Sequence, residues 1–252
     1  MSDRAALVYR YDGSYPGFLC CVAELFHDKV LPADIQLLDE PQMTLCPVKA
    51  VATDPERAGR VEKWIKNEIS PQVREMVRRG FLTCMEHKEL RLIRFVLLGK
   101  KYGDKVRQLK VREEVFEIEQ ALRYLNNESN RYIEFIRFVD LGEFLAALIE
   151  PSNSVLPMIA EHFCDRFPEE NLMIFDRTHG LGFLHRRGAR AEFFQADYLE
   201  LPPVSGEEAE YQALWKRFYE RIAVEGRINP KLRMTHMPKR YWNLMPEVAD
   251  AG

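Results

Sequence analysis

Two arginines set among aromatic residues carry the most specific chemistry in this sequence. Arg137 stands in Phe135-Ile136-Arg137-Phe138, and Arg166 stands in Phe163-Cys164-Asp165-Arg166-Phe167. A guanidinium beside an aromatic ring can clamp a phosphate through two parallel N–H bonds or stack on a base. It can equally pair with a local acid, here Glu134, Glu143 or Asp165. The C-terminal segment has a composition suited to nucleic acid. Lys231, Arg233, Lys239 and Arg240 supply charge, while Tyr241 and Trp242 supply π-faces. The competing reading anchors Tyr241-Trp242 on the core and leaves the cations in water. Asp176 and His179 flank a turn at a spacing that suits a general acid–base pair. Polar residues of that kind also simply form turns.

Other familiar chemistry is missing. No G-x-x-x-x-G-K-[ST] phosphate loop occurs; Gly99-Lys100-Lys101-Tyr102-Gly103 lacks both the spacing and the hydroxyl residue. Gly180-Leu181-Gly182 falls in a hairpin rather than at a strand-to-helix turn, so it is no dinucleotide fingerprint. There is no G-x-S-x-G elbow and no H-E-x-x-H. The five cysteines (Cys20, Cys21, Cys46, Cys84 and Cys164) are odd in number and irregular in spacing. They fit a reducing cytoplasm better than a disulfide framework. No C-x-x-C pair and no C-x-x-x-C-x-x-C triplet is present, so the chain is expected to hold no radical iron–sulfur cluster and no cofactor of its own. A metal set drawn from His162, Cys164, His179 and His185 is an alternative to the plainer reading of a buried Cys and surface His residues.

The chain has 252 residues, 46% hydrophobic and 30% charged, with a formal net charge of −3. That composition excludes overall disorder and sets a length of one large or two small domains. No apolar run reaches membrane-span length, and the N-terminus lacks a signal-peptide core, so a cytoplasmic protein is expected. The small net charge conceals four blocks: −5 over residues 1–56, +7 over 57–124, −9 over 140–210 and +6 over 215–242. The two basic blocks could share a phosphate-binding face. They could instead be neutralised by the acidic 140–210 block.

These residues need elements to position them. Ala5 to Tyr11 reads as a strand, and Ser14 caps a helix over 15–29 with Phe18, Val22 and Phe26 inward. Residues 34–38 and 48–53 read as short strands. Asp54-Pro55 and Ser70-Pro71 are helix starts. Leu90 to Leu98 is helical, and Val111, Val115, Ile118, Leu122 and Leu125 form a further helical stripe. From Arg131 to Val139 the sequence alternates and is rich in aromatic and β-branched residues, which reads as a strand. A second strand over 144–149 makes a hairpin with it near Asp140-Leu141-Gly142. A helix over 155–167 and strands over 172–176, 181–185 and 191–194 follow. Ser205-Gly206-Glu207-Glu208 is a capping box. It opens a helix whose stripe of Tyr211, Leu214, Trp215, Phe218, Tyr219 and Ile222 reads as core. The expected fold is α+β: an N-terminal strand–helix unit (1–53), a helical insert (54–127), an antiparallel β-β-α-β-β layer (128–204), and a C-terminal helix with a basic tail (205–252).

Three motifs in order resemble one known family. Tyr11-Asp12-Gly13-Ser14-Tyr15-Pro16-Gly17-Phe18-Leu19 resembles its opening "YDGSFEGFL". Ile136-Arg137-Phe138, Ile149-Glu150-Pro151, Val155-Leu156-Pro157, His162-Phe163 and Arg166-Phe167 resemble its central run. Met237-Pro238-Lys239-Arg240-Tyr241-Trp242, with Leu244 and Pro246-Glu247, resembles its end. The family is a bacterial group of DNA metabolism proteins carrying a domain of unknown function. The resemblance implies a partner rather than a reaction: a radical S-adenosylmethionine protein assigned to DNA modification or repair. Related domains occur fused to uracil-DNA-glycosylase-like domains. Family members often place Asp-His after the Glu-Pro, where this chain has Ser152-Asn153.

The leading expectation is therefore a non-redox accessory protein of DNA repair or DNA metabolism, touching DNA through its basic helical and tail segments. Two rivals stand beside it. One is a DNA-acting hydrolase, a nuclease or glycosylase-like enzyme, using Asp176, His179 or Arg137. The other is a protein-interaction module that never meets nucleic acid.

Overall fold

Capping side chains start helices where their chemistry permits. A computed structural model describes residues 7–39, 42–202, 205–222, 234 and 237–245. The chain divides into two compact units, Met1–Leu125 and Asn126–Gly252. Both helices and sheets are present, giving an α+β protein. Among the described residues no helix is long and apolar enough to cross a membrane.

The first unit pairs a small parallel sheet with a helical array. β1 (Val8–Tyr11) lies between β2 (Asp34–Leu37) and β3 (Val48–Ala50), parallel to both. Ser14 accepts from the Gly17 N–H and starts α1 (Tyr15–Asp28). Asp54 caps α2 (Pro55–Trp64), a π-helical turn follows over Ile65–Ile69, and Ser70 caps α3 (Pro71–Phe81). α4 (Lys88–Tyr102) completes the array. Phe18, Ile65, Phe95 and Ile118 are fully buried in the resulting core.

The expected strand over 131–139 is instead the end of a helix. α5 runs from Glu113 to Phe135. Val115, Ile118, Leu125, Ser129, Tyr132 and Ile136 are buried, with Leu122 half-buried between them. Spacings of three and four therefore continue from 115 to 136, and this period outweighs the local alternation of Arg131 to Val139. At its other end the stripe loses Val111, which is fully exposed before the helix begins.

The second unit holds a five-stranded sheet ordered β4-β5-β6-β7-β8. Its strands are β4 (Val139–Asp140), β5 (Leu145–Ile149), β6 (Leu172–Asp176), β7 (Leu181–His185) and β8 (Glu192–Gln195). The layer is mixed, not antiparallel. β5 and β6 run parallel, while the other neighbours are antiparallel. The reason is α6 (Leu156–Arg166), which returns the chain across the sheet so that the next strand starts at the same end. Leu156, Ile159, Ala160 and Phe163 face inward from it. In β7 a glycine is required by contact: a Cβ on Gly182 would meet the Phe194 ring at about 2.0 Å. Ser205 accepts from Glu208 N–H at 3.1 Å and caps α7 (Gly206–Ile222). Among the described residues the chain ends in a 3-10 turn over Lys239–Leu244.

Candidate nucleic-acid interface

A short ladder opens a cleft in the second unit. β4 pairs with β5 at two positions only, Val139 with Ala146 and Asp140 with Leu145. Continued, the ladder would set Phe138 opposite Ala147 and Arg137 opposite Leu148. Those pairs do not form, and a cavity of about 850 Å³ is bordered by Ile136–Val139 on one side and Leu145–Leu148 on the other. Arg166 and Phe167, at the end of α6, also line it. So do Glu208, Tyr211, Gln212 and Trp215 of α7.

The cleft thus gathers two candidates that lie far apart in sequence. Arg137 Nη1 donates to the carbonyls of Glu134 at 3.2 Å and Ile136 at 3.3 Å. The end of α5 therefore holds its guanidinium. Arg166 is exposed and its guanidinium lies 5.5 Å from the Phe167 ring centroid. Phe138 packs edge-on against both Phe163 and Phe167, which fixes the aromatic wall between the two arginines. Tyr211 and Trp215, expected in the core, are 62% and 44% exposed. Leu214 is exposed as well. The spacing of that stripe is the usual one for a buried helix face, so the sequence carried no signal that these rings are uncovered.

The tail candidates divide. Lys231 and Arg233 lie outside the described residues. Lys239 and Arg240 are exposed on the 3-10 turn. Lys239 lies over the Trp242 ring at 5.3 Å, and Arg240 Nη2 donates to the Tyr241 hydroxyl at 2.9 Å. Tyr241 and Trp242 are buried, so neither ring is offered to a base. Tyr241 packs on Tyr132 and Phe135, and Trp242 Nε1 donates to the Met237 carbonyl at 2.9 Å. The pair anchors the tail because a buried aromatic with its polar atom satisfied is a strong attachment.

Part of the basic helical segment meets carboxylates where it stands. Arg57 pairs with Glu24 and Arg91 with Glu117. Arg74 lies near Glu62 and Glu75, Arg107 binds Asp104, and Lys110 faces Glu119. Its acids come from residues 1–125, not from the 140–210 block. Arg177 and Arg187, within that acidic block, pair with its own Glu150 and Glu169.

A second polar centre sits at the carboxyl ends of the parallel strands. Asp176, the last residue of β6, is wholly buried. Its Oδ1 accepts from the N–H groups of Thr178 at 2.9 Å and His179 at 3.1 Å. Its Oδ2 lies 2.6 Å from His179 Nδ1. The loop after β5 is held by buried Glu128, which accepts from Ser152 N–H, Asn153 N–H and Asn153 Nδ2. Asn153 is itself buried, so this half of the Ser152-Asn153 departure falls at an inward, hydrogen-bonding position, while Ser152 is exposed. Nearby, burial and then the Glu128 carboxylate push the Tyr132 hydroxyl above its ordinary range. Among the described residues, His162, Cys164, His179 and His185 do not converge on a shared ion position.

A family model described as a domain of unknown function, DUF4130, matches residues 86–247. The chain belongs to this family. The DUF4130 match takes in α4, α5, the cleft residues from Ile136 to Leu244 and the Asp176–His179 turn. It excludes the parallel sheet of the first unit. No curated protein matches the chain.

Proposed function

We propose that this DUF4130 protein is an accessory factor of DNA repair or DNA metabolism and that its second unit holds a DNA strand in the cleft beside β5. Its proposed partner is a radical S-adenosylmethionine enzyme, as the family resemblance implies. One observation carries the DNA contact: Arg137 and Arg166 line the same cleft as Phe138, Phe167, Tyr211 and Trp215. Guanidinium groups suit phosphate oxygens, and exposed rings suit base faces. In this role phosphate contacts position the strand and the rings accept any base. The basic helical segment belongs to the first unit and does not line this cleft.

Fluorescence-anisotropy titration of a labelled oligonucleotide tests the contact. Affinity is expected to fall steeply from low to moderate salt, and replacing Arg137 or Arg166 by Ala should each lower the log–log salt slope by about 1. Absence of binding at low salt would remove the proposal. The partnership is tested separately, by co-purification with the radical enzyme and titration of each component and of the pair.

A further inference from the structure

We propose that His179, positioned by Asp176, is a general base that activates water against a phosphodiester. The choice of substrate rests on the DNA reading of the cleft; the geometry of the pair does not. Asp176 is buried, and both its oxygens are engaged by the turn that carries His179. In a neutral imidazole, a carboxylate accepting from Nδ1–H selects the tautomer whose lone pair is on Nε2. The His179 side chain is 31% exposed, and among the described residues no bond to Nε2 is made. A buried orienting acid with a solvent-facing imidazole is the arrangement of a base held ready for proton transfer.

Position supports the same role. β5 and β6 are parallel, so their carboxyl ends lie at one edge of the sheet, where α/β units place their reactive groups. The two loops at that edge are pinned from below, one by Glu128 and one by Asp176, and Arg177 joins them through Glu150 at 3.3 Å. The cleft reaches this edge. Leu148 lines it, and the next residue, Ile149, is the register partner of Asp176. At ~3.3 Å per residue along a strand, cleft and base are on the order of 10 Å apart.

The step balances without a redox partner. A water proton passes to His179 Nε2 as the water oxygen bonds to phosphorus. The ester P–O bond breaks, and its leaving oxygen takes the proton back from the imidazolium. The products are a phosphomonoester and an alcohol. Asp176 touches neither, so it is a positioning residue. The charged and titratable groups on the neighbouring elements are Glu150 and Arg177, the Tyr198–Glu200 pair close to Arg177, and Tyr132, which interacts with Asp176 and is itself surrounded by Glu128, Tyr241 and Arg240.

The experiment compares the intact protein with His179→Ala, His179→Gln and Asp176→Asn on an end-labelled single-stranded oligonucleotide and on bis(4-nitrophenyl) phosphate, with oligonucleotide affinity measured in parallel. Cleavage is expected to fall at least a hundredfold in both His179 variants, with affinity unchanged; the glutamine amide can still donate toward Asp176 and so keeps that buried carboxylate partnered. Asp176→Asn should lower the rate at least tenfold and displace the acid limb of the pH–rate profile, which a purely structural role would not move. Intact oligonucleotide binding with hydrolysis equal to His179→Ala overturns the base and leaves the cleft standing. If the oligonucleotide does not bind, the cleft reading fails. The small diester, which needs no cleft, then decides: hydrolysis lost in the His179 variants upholds the base, and hydrolysis equal to theirs overturns it.

Discussion

Each unit has a cleft lined by arginines, and the two clefts differ in what surrounds those cations. In the first unit a cavity of about 480 Å³ is lined by Asp34, His87, Arg91, Arg94, Glu113, Glu114 and Glu117. Its charges answer one another: Arg91 pairs with Glu117, and His87 lies 3.7 Å from Asp34. In the second unit the larger cleft brings Arg137 and Arg166 together with one carboxylate, Glu208, and a wall of aromatic rings. The block over 57–124 has 17 basic residues and the second cleft two arginines, and the proposed phosphate site is the latter. Counting cations measures the potential of a segment; what they face decides whether that potential is left for a ligand.

The contrast can be broken at four places. The largest effect belongs to the tail anchor. Tyr241→Ala should destabilise the protein by about 3–5 kcal/mol, the cost of emptying a buried aromatic site, as read by urea denaturation. A near-neutral result would mean that the ring is not held in the core. Next comes Trp215→Ala, which should weaken oligonucleotide binding by about 1–3 kcal/mol if a base stacks on the indole. Unchanged affinity would confine DNA contact to the arginines.

The third test lies in the first unit, where Lys49 bridges Asp28 and Glu24 at 2.7 and 2.6 Å. The hydrogen bond from Lys49, followed by that from His27, holds the Asp28 carboxyl well below the usual carboxylate range. Because the folded value is the lower one, the stabilisation is fully present above the unfolded value near pH ~4 and is lost as pH falls below it. Asp28→Asn should cost about 2 kcal/mol at neutral pH and flatten the acid limb of the stability profile. An acid limb equal to that of the unaltered protein would show that this cluster does not set it. The smallest effect is expected for Lys110→Ala, whose exposed pairing with Glu119 at 3.6 Å is worth about 0.5 kcal/mol. It should leave oligonucleotide affinity unchanged; a clear loss would return the basic helical segment to the DNA surface.

Much of the fold was legible because local chemistry and tertiary packing agreed. Ser14, Asp54, Ser70 and Ser205 cap helices as their side chains predict, and β6 and β7 fall at the expected residues. The misreadings share one cause: each depended on what lay across the contact. Arg131 to Val139 alternates like a strand, but Tyr132 and Ile136 extend a helical stripe begun at Val115. The parallel pairing of β5 and β6 depends on the path of α6, which no short pattern encodes. The same limit applies to the site. Arg137 and Arg166 were visible as residue types in context, whereas Tyr211 and Trp215 joined them only because α7 leaves those rings uncovered.

The floor of the cleft has a bearing on how this protein can change. Ala146 and Ala147, neighbours on β5 whose side chains point to opposite faces of the strand, line it with the smallest side chain that carries a Cβ. A single added methyl group there would make the groove shallower while leaving both arginines in place. Ligand preference could thus drift by one carbon at a time, with the scaffold and its anchoring cations untouched.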